Sequence, residues 1–138
     1  MWKKEFTIET EVSKEQIWKI WSDVKNWNKW DKDVQSSELN GEFEKGTSGY
    51  LKPKKGPKSK FKIESLHYPF EFTTRSNLPF AKMDFTHRME EKDEKTLITH
   101  GIEISGVTTF VFSKIIGKKI IDQLPSTMKN LISMTQNN

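Results

Sequence analysis

Two neighbouring segments in the second half of the chain alternate between apolar and polar residues, which is typical of β-strands with one buried face. In residues 80–90 the mostly apolar face carries Ala81, Met83, Phe85, His87 and Met89. In residues 96–105 the corresponding face carries Thr96, Ile98, His100, Ile102 and Ile104. A tight turn at Asp93-Glu94 would place His87 directly opposite His100, whereas a slip of two residues would make them diagonal neighbours. The pattern predicts two imidazoles that face an apolar interior.

The composition bounds the class of protein. The chain has 138 residues, which fits a single domain over residues 1–138 with one core. It contains no apolar run long enough to cross a membrane. It has no cysteine, which excludes disulfides, thiol nucleophiles and thiolate metal sites. We therefore expect a cytoplasmic protein without integral membrane association.

The basic residues are almost all lysine. The net charge is +4, and Arg75 and Arg88 are the only arginines. Because arginine dominates the recognition of phosphates and bases, we expect no nucleic-acid partner. Six lysines surround a Pro-Gly-Pro loop in residues 52–62. This run is interpreted as a solvated hairpin, and the alternative is a contact surface for an anionic membrane, a polyanion or a protein partner.

Helical patterns flank a long region of strands. After a first strand at residues 3–12, Ser13 and Gln16 form a capping box before an apolar helical stripe, and Trp27–Trp30 indicates a second short helix. Short strands are predicted over residues 34–105. They include Ser59–Leu66 with one face of Phe61, Ile63 and Ser65, and a strand on which Phe70 and Phe72 point inward and Arg75 outward.

A long helix is predicted from Thr108 to about Thr135, bent at Pro125. One face of this helix is traced by Phe110, Gly117, Ile120 or Ile121, Leu124, Met128 and Leu131. The predicted class is α+β, with a curved antiparallel sheet of about seven strands wrapped around the C-terminal α-helix and two short helices after the first strand. A sheet wrapped on a helix in this way can leave space between them.

This order of elements resembles the SRPBCC or START-like superfamily with the helix-grip fold, which includes the birch-pollen allergen relatives. The similarity is strongest to the polyketide cyclase/dehydrase branch. It rests on the whole element order and on local strings: Val12–Trp18 leading into Trp27–Trp30, Leu39–Gly46, Gly49–Pro53, Phe85–His87, Ile98–Gly106, Ile116-Gly117 and Leu124-Pro125. The resemblance implies a hydrophobic ligand held between the sheet and the C-terminal helix.

The candidate site follows from the predicted inward faces. The residues expected to line the ligand cavity are Trp30, Phe61, Ile63, Phe72, Met83, Phe85, His87, His100, Ile102, Phe110, Ile120, Leu124 and Met128. His87 and His100 are the candidate catalytic residues, and Tyr50 and Ser65 are less certain inward groups. Two imidazoles leave a zinc ion short of a third protein ligand, so we expect no metal and no cofactor.

Three functions remain open from the sequence. The first is a non-catalytic carrier or sensor for a small hydrophobic or aromatic ligand. The second is a polyketide cyclase/dehydrase-like enzyme in which His87 and His100 move protons. The third is a protein-interaction module that uses the basic hairpin. The protein is expected to be a monomer or a weak dimer.

Overall fold

The computed structural model describes residues 1–136, and it contains one seven-stranded antiparallel sheet. The strand order is β1-β7-β6-β5-β4-β3-β2, so the first and second strands form the edges. The strands are β1 (Trp2–Thr10), β2 (Val34–Leu39), β3 (Ser48–Pro53), β4 (Ser59–His67), β5 (Glu71–Leu78), β6 (Ala81–Lys92) and β7 (Lys95–Gly106). The helices are α1 (Lys14–Trp21), a 3₁₀ helix (Val24–Lys29), α2 (Thr109–Phe112), a π-helical turn (Ser113–Gly117) and α3 (Lys118–Gln136). The predicted helix-grip class is confirmed.

The β6–β7 hairpin forms with the predicted turn. Asp93 and Glu94 have φ angles of 53° and 65°, as both central residues of a type I′ turn require. The register that follows pairs Met89 with Ile98 and His87 with His100. The two histidines are therefore directly opposite each other, not diagonal.

The helix after β1 begins where the sequence predicts. The Ser13 side chain accepts a hydrogen bond from the Gln16 backbone, and the Gln16 side chain accepts one from the Ser13 backbone. This reciprocal capping satisfies two donors that a helix start leaves unpaired. The buried stripe of α1 packs against the sheet, and the Trp27 ring N–H donates to the Trp21 carbonyl oxygen at 2.9 Å. That bond fastens the 3₁₀ helix to the end of α1.

The C-terminal helix differs from the prediction in its first turns. A π-helical turn at Ser113–Gly117 separates α2 from α3, and such a turn adds a residue and shifts the phase of the helix face. Phe112 packs in the core instead of Phe110, which is 67 % exposed. The assignment of Phe110 to the inward face was therefore wrong. Pro125 lies inside α3, which continues to Gln136.

Two strand faces also differ from the prediction. The pairing of β4 with β5 shifts register between Ile63 and Ser65, and beyond this bulge Leu66 packs against the core instead of Ser65. Phe70 lies in the turn before β5 and is 42 % exposed, so it does not point inward as predicted. Arg75 does face outward, where it pairs with Asp84 at 2.7 Å.

The apolar interior consists of two clusters on the inner face of the sheet. The larger one joins α1 and the 3₁₀ helix to Phe61, Phe72 and the last turns of α3. The smaller one joins Ile102 and Ile104 to residues around the start of α3. Helix α3 contacts the sheet chiefly at β1, with less contact to β7. Within residues 1–136, no helix is long and apolar enough to cross a membrane.

Candidate ligand site on the inner face of β6 and β7

The two inward histidines meet near the middle of the sheet. The ring centroids of His87 and His100 lie 4.7 Å apart with an interplanar angle of 74°, so the edge of one ring meets the face of the other. Strands β6 and β7 hold them, because directly opposite residues on one face of an antiparallel pair have adjacent side chains. The structure thus brings together the two residues that the sequence singled out.

The helical layer that covers the sheet contacts His100 through Trp21 of α1. The Trp21 Nε1–H donates a hydrogen bond to His100 Nε2 at 3.2 Å, in a buried position. An indole nitrogen can only donate, so His100 Nε2 is unprotonated and the neutral ring carries its proton on Nδ1. The alternation of β7 predicts an inward His100, but nothing in the local sequence connects it to Trp21. Trp21 is therefore a site residue that sequence reasoning missed.

His87 is held by its neighbour on β5. Its Nδ1 lies 3.3 Å from the Phe72 carbonyl oxygen, and its ring is stacked on the Phe72 ring at 4.0 Å and 3°. Because a carbonyl oxygen only accepts, Nδ1 is the protonated nitrogen and Nε2 keeps a free lone pair. Among residues 1–136, Nε2 of His87 and Nδ1 of His100 have no hydrogen-bond partner. The pair therefore presents one acceptor and one donor.

Both imidazoles are neutral at physiological pH. Burial lowers the pKa of His87 to about 4, against an ordinary value of 6.5, and hydrogen bonds to backbone carbonyls offset this only in part. Burial also lowers the pKa of His100 well below its ordinary range, and the neighbouring His87 lowers it further. Desolvation is the dominant cause for both rings, because a charged imidazole loses its hydration among apolar side chains.

The inner face of β6 is not fully covered. Met83, Phe85 and His87 are only partly buried, although β6 is a central strand with β5 and β7 on either side. Ile120 and Ile121 of α3, which pack with the same cluster, are partly buried as well. Because α3 contacts chiefly β1, these side chains of β6 are covered less completely than the core residues of β7.

All but one of the other residues predicted to line a cavity are packed in the core. Trp30, Phe61, Ile63, Phe72, Ile102, Leu124 and Met128 are at most 9 % exposed and are packed in the core. Phe110 is the exception, because it is exposed. Trp30 lies with its ring centroid 6.0 Å from that of His100, and its buried Nε1–H has no partner among the described residues. Tyr50 carries the Lys58 ammonium over its ring, 4.7 Å from the ring centroid.

The sheet adds two inward hydroxyl groups that the sequence analysis did not single out. Thr74 and Ser76 lie opposite Phe85 and Met83 on β5 and are at most 9 % exposed. The alternation that begins at Phe72 could have identified them, because every second residue of a strand shares a face. Because of these two hydroxyl groups, the inner face of the sheet beside β6 is more polar than its apolar residues alone would make it.

Two open grooves lie elsewhere on the surface. One of about 510 Å³ runs between the 3₁₀ helix and the last turns of α3, and is lined by Asp23, Asn26, Lys29, Lys32, Asn130, Ser133 and Met134. The other, of about 490 Å³, lies at the β5–β6 turn and the end of β7. Neither is lined by His87 or His100. Within residues 1–136, no three His, Asp or Glu side chains are grouped as metal ligands.

Two lysines of the basic hairpin interact with oxygen atoms of the same chain. The Lys52 ammonium donates to the Pro53 and Gly56 carbonyl oxygens at 2.8 and 2.7 Å, which closes the loop on itself. Lys58 lies 3.8 Å from a Glu38 carboxylate oxygen. These contacts agree with the interpretation of the run as a structured, solvated loop.

Comparisons with solved structures agree with this fold. Ara h 8.0201 superposes with a TM-score of 0.72 at 16 % identity, covering 99 % of both chains. A START superfamily protein from Mycobacterium smegmatis superposes at 0.73 with 14 % identity, covering 98 % of this chain and 97 % of that one. Truncated norcoclaurine synthase from Thalictrum flavum gives 0.73 and 14 %, covering 99 % and 94 %.

Sequence comparison gives the family. No curated protein sequence matches the chain. A family model described as polyketide cyclase / dehydrase and lipid transport matches residues 1–130, and the chain therefore belongs to that family.

Proposed function

We propose that this protein binds a small, neutral, largely apolar ligand that carries a hydroxyl or carbonyl group, in the space between the inner face of β6 and α3. The observation that carries the proposal is the partial exposure of Met83, Phe85 and His87 on a central strand. Inward residues of a central strand are normally covered by the layer packed on the sheet. Their exposure fits a space that an apolar molecule would fill.

The polar groups around this space favour a neutral ligand. His87 Nε2 is an acceptor, and His100 Nδ1–H and the buried Trp30 Nε1–H are donors without a protein partner among the described residues. A buried donor without a partner is costly, so a ligand oxygen that accepts from it would be stabilising. Neither imidazole supplies the positive charge that a buried carboxylate would need.

A binding role fits these imidazoles better than acid–base catalysis. A general base works best when its pKa lies near the operating pH, and a pKa of about 4 makes His87 a weak base at neutral pH. Both rings also have fixed tautomers, which suits the orientation of a ligand oxygen more than the transfer of a proton. The protein therefore acts as a carrier or sensor in this proposal.

The test uses two probes of equal chain length, dodecanol and dodecanoate, titrated against the protein by calorimetry. We expect dodecanol to bind and dodecanoate to bind at least about tenfold more weakly at pH 7.5, since the carboxylate must be desolvated. His87→Leu removes the acceptor and should weaken dodecanol binding about fivefold or more. His67→Leu, the same change at an exposed histidine outside this space, is the matched control and should have little effect.

Two results would overturn the proposal. One is binding of neither probe together with purified protein that retains no ligand in native mass spectrometry. The other is dodecanol binding that His87→Leu leaves unchanged, or weakens no more than His67→Leu does, which would place the probe away from the histidine pair.

A further inference from the structure

One end of the molecule exposes an unusual concentration of apolar side chains. Nine large apolar residues are exposed within residues 1–136, and five of them lie near the β5–β6 turn, the end of β7 and the start of the C-terminal helices. These five are Phe80 (82 %), Val107 (84 %), Phe110 (67 %), Val111 (37 %) and Ile115 (66 %). We call them the apolar end. Clustered exposure of this kind marks interaction surfaces, whereas scattered apolar residues need no explanation.

Direct contacts join the two parts of the apolar end, which are the β5–β6 turn with Phe80 and the segment after β7 with the other four residues. Ala81 pairs with Gly106 where β6 begins and β7 ends. The Thr108 hydroxyl donates to the Pro79 carbonyl oxygen at 2.6 Å, which joins the start of the helical segment to the β5–β6 turn. Phe80 and Val107 therefore lie beside each other in the fold, and Phe110 and Val111 follow on the next turn.

Phe80 is displayed at a backbone position that disfavours it. It follows Pro79 in the turn and has a φ of 59°, in the left-handed region where glycine is usual. A bulky residue is disfavoured in that region, and an 82 % exposed ring returns little packing energy to the fold. The Phe80 ring therefore does not stabilise the fold of the single chain.

Lysines surround the apolar end, and acidic residues are scarce there. Lys82, Lys114, Lys118 and Lys119 are all exposed. Residues 104–121 contain no aspartate or glutamate. The nearby Asp84 carboxylate is engaged by Arg75, which donates to both of its oxygens at 2.7 and 2.9 Å. The rim of the apolar end is therefore positively charged.

We propose that the apolar end is a peripheral docking surface for an anionic lipid bilayer. Exposed Phe, Val and Ile side chains would enter the boundary between headgroups and acyl chains, and the lysine ammonium groups would meet the lipid phosphates. Charge complementarity selects an anionic surface, and the mixed apolar and basic character selects a bilayer over a soluble polyanion. Phe112 of the same segment packs inward with Met83 and Phe85, so docking would bring the bilayer close to the inner face of β6.

The experiment is sedimentation of the whole protein with vesicles of phosphatidylcholine alone or mixed equally with phosphatidylglycerol. We expect binding to the mixed vesicles, weakening as salt is raised, and little binding to phosphatidylcholine alone. Phe110→Ser with Ile115→Ser should weaken binding at least about tenfold. Lys114→Glu with Lys118→Glu and Lys119→Glu should weaken it on the order of 100-fold.

The matched control reverses the same charge on the basic hairpin, with Lys54→Glu, Lys55→Glu and Lys60→Glu. This variant should bind mixed vesicles within about threefold of the original chain, apart from the general effect of net charge. Every substituted side chain is exposed, and thermal unfolding of each variant checks that the fold is intact.

Three results would overturn the proposal. The first is no binding to mixed vesicles at low salt. The second is loss of binding in the hairpin variant but not in the Lys114 variant. The third is self-association of the original chain in dilution-series chromatography that Phe110→Ser abolishes while vesicle binding persists, which would assign the apolar end to a second copy. The dodecanol titration is read in solution without vesicles, so its outcome is separate from this one.

Discussion

Trp21 and His100 are separated by 79 positions in the chain, yet they share a buried hydrogen bond of 3.2 Å that crosses from α1 to the inner face of β7. The bond fixes which nitrogen of His100 carries the proton, and it ties the helical layer to the sheet beside the proposed ligand. The Trp21 ring also lies 5.7 Å from the His87 ring and 5.3 Å from the Phe72 ring, centroid to centroid. Trp21 therefore lies beside both histidines and Phe72.

Removing the indole donor should destabilise the fold. Trp21→Phe keeps an aromatic ring but leaves His100 Nε2 buried without a donor, and we expect the free energy of unfolding to fall by about 2 kcal/mol in urea titrations. Adding His100→Leu should cost less than the sum of the two single changes, because the orphaned acceptor disappears with it. Additive losses in this double-mutant cycle would show that the bond contributes nothing beyond packing.

The stability of the protein should fall in mildly acidic solution because of the histidine pair. The pKa of His87 is about 4 in the folded protein and 6.5 in the reference state, and that of His100 is also lowered, so the unfolded chain binds protons first as the pH falls. The contribution of His87 is fully present above pH 6.5 and is lost progressively between pH 6.5 and 4, and that of His100 is lost in the same direction as the pH falls below 6.5. For His87 the loss reaches up to about 3 kcal/mol.

Urea unfolding at pH 7.5, 6, 5 and 4.5 measures this dependence. His87→Leu should flatten the decline relative to the original chain, because the proton uptake of the unfolded state at this position is removed. Met83→Leu, at a residue of the same face that does not titrate, serves as the control and should leave the decline unchanged. Parallel curves for the original chain and His87→Leu would contradict the assignment of a neutral imidazole at this position.

The sheet around the histidines could be predicted from the sequence because strand periodicity and turn chemistry are local signals. Alternation over residues 80–105 placed the side chains of β6 and β7, and the two turn residues Asp93 and Glu94 set the register. The capping box at Ser13 and Gln16 likewise needs only three residues of context. In each case the residues that determine the geometry are adjacent in the chain.

The rest of the site depends on contacts that no local pattern contains. The bond from Trp21 to His100 links elements that are distant in sequence. The bulge in β4 and the π-helical turn at Ser113–Gly117 each insert one residue, so the side chains before the insertion no longer share a face, at the expected spacing, with those after it. Ser65 and Phe110 were assigned to the wrong faces for this reason.

Gly117 should resist substitution although it lies in a helical segment. A Cβ built there would come 2.6 Å from Cζ3 of Trp2, whose ring lies across the glycine. Ala normally stabilises a helix interior by about 1 kcal/mol relative to Gly, but here we expect Gly117→Ala to destabilise by about 1–3 kcal/mol. Ser126→Ala, at an exposed position of α3, is the control and should be neutral or slightly stabilising.

A second variant, Trp2→Ala, tests whether the clash with the indole or the backbone of the π-helical turn makes Gly117→Ala destabilising. If the clash with Trp2 is responsible, Gly117→Ala should cost much less in a Trp2→Ala background, as measured by urea unfolding. An equal cost in both backgrounds would mean that the backbone of the π-helical turn, and not the indole, requires glycine.

Phe110 and Phe112 should differ sharply in their effect on stability. The π-helical turn directs Phe112 into the cluster with Ile102 and Ile104 and leaves Phe110 67 % exposed. Phe112→Ala should therefore lower the free energy of unfolding by about 2 kcal/mol, and Phe110→Ala by less than about 0.5 kcal/mol. Both variants change the same residue type two positions apart, so helix propensity is nearly equal in the comparison. Urea unfolding of the two proteins gives the answer, and the reverse order of effects would restore the uninterrupted helix that the sequence pattern predicted, with Phe110 on its buried face.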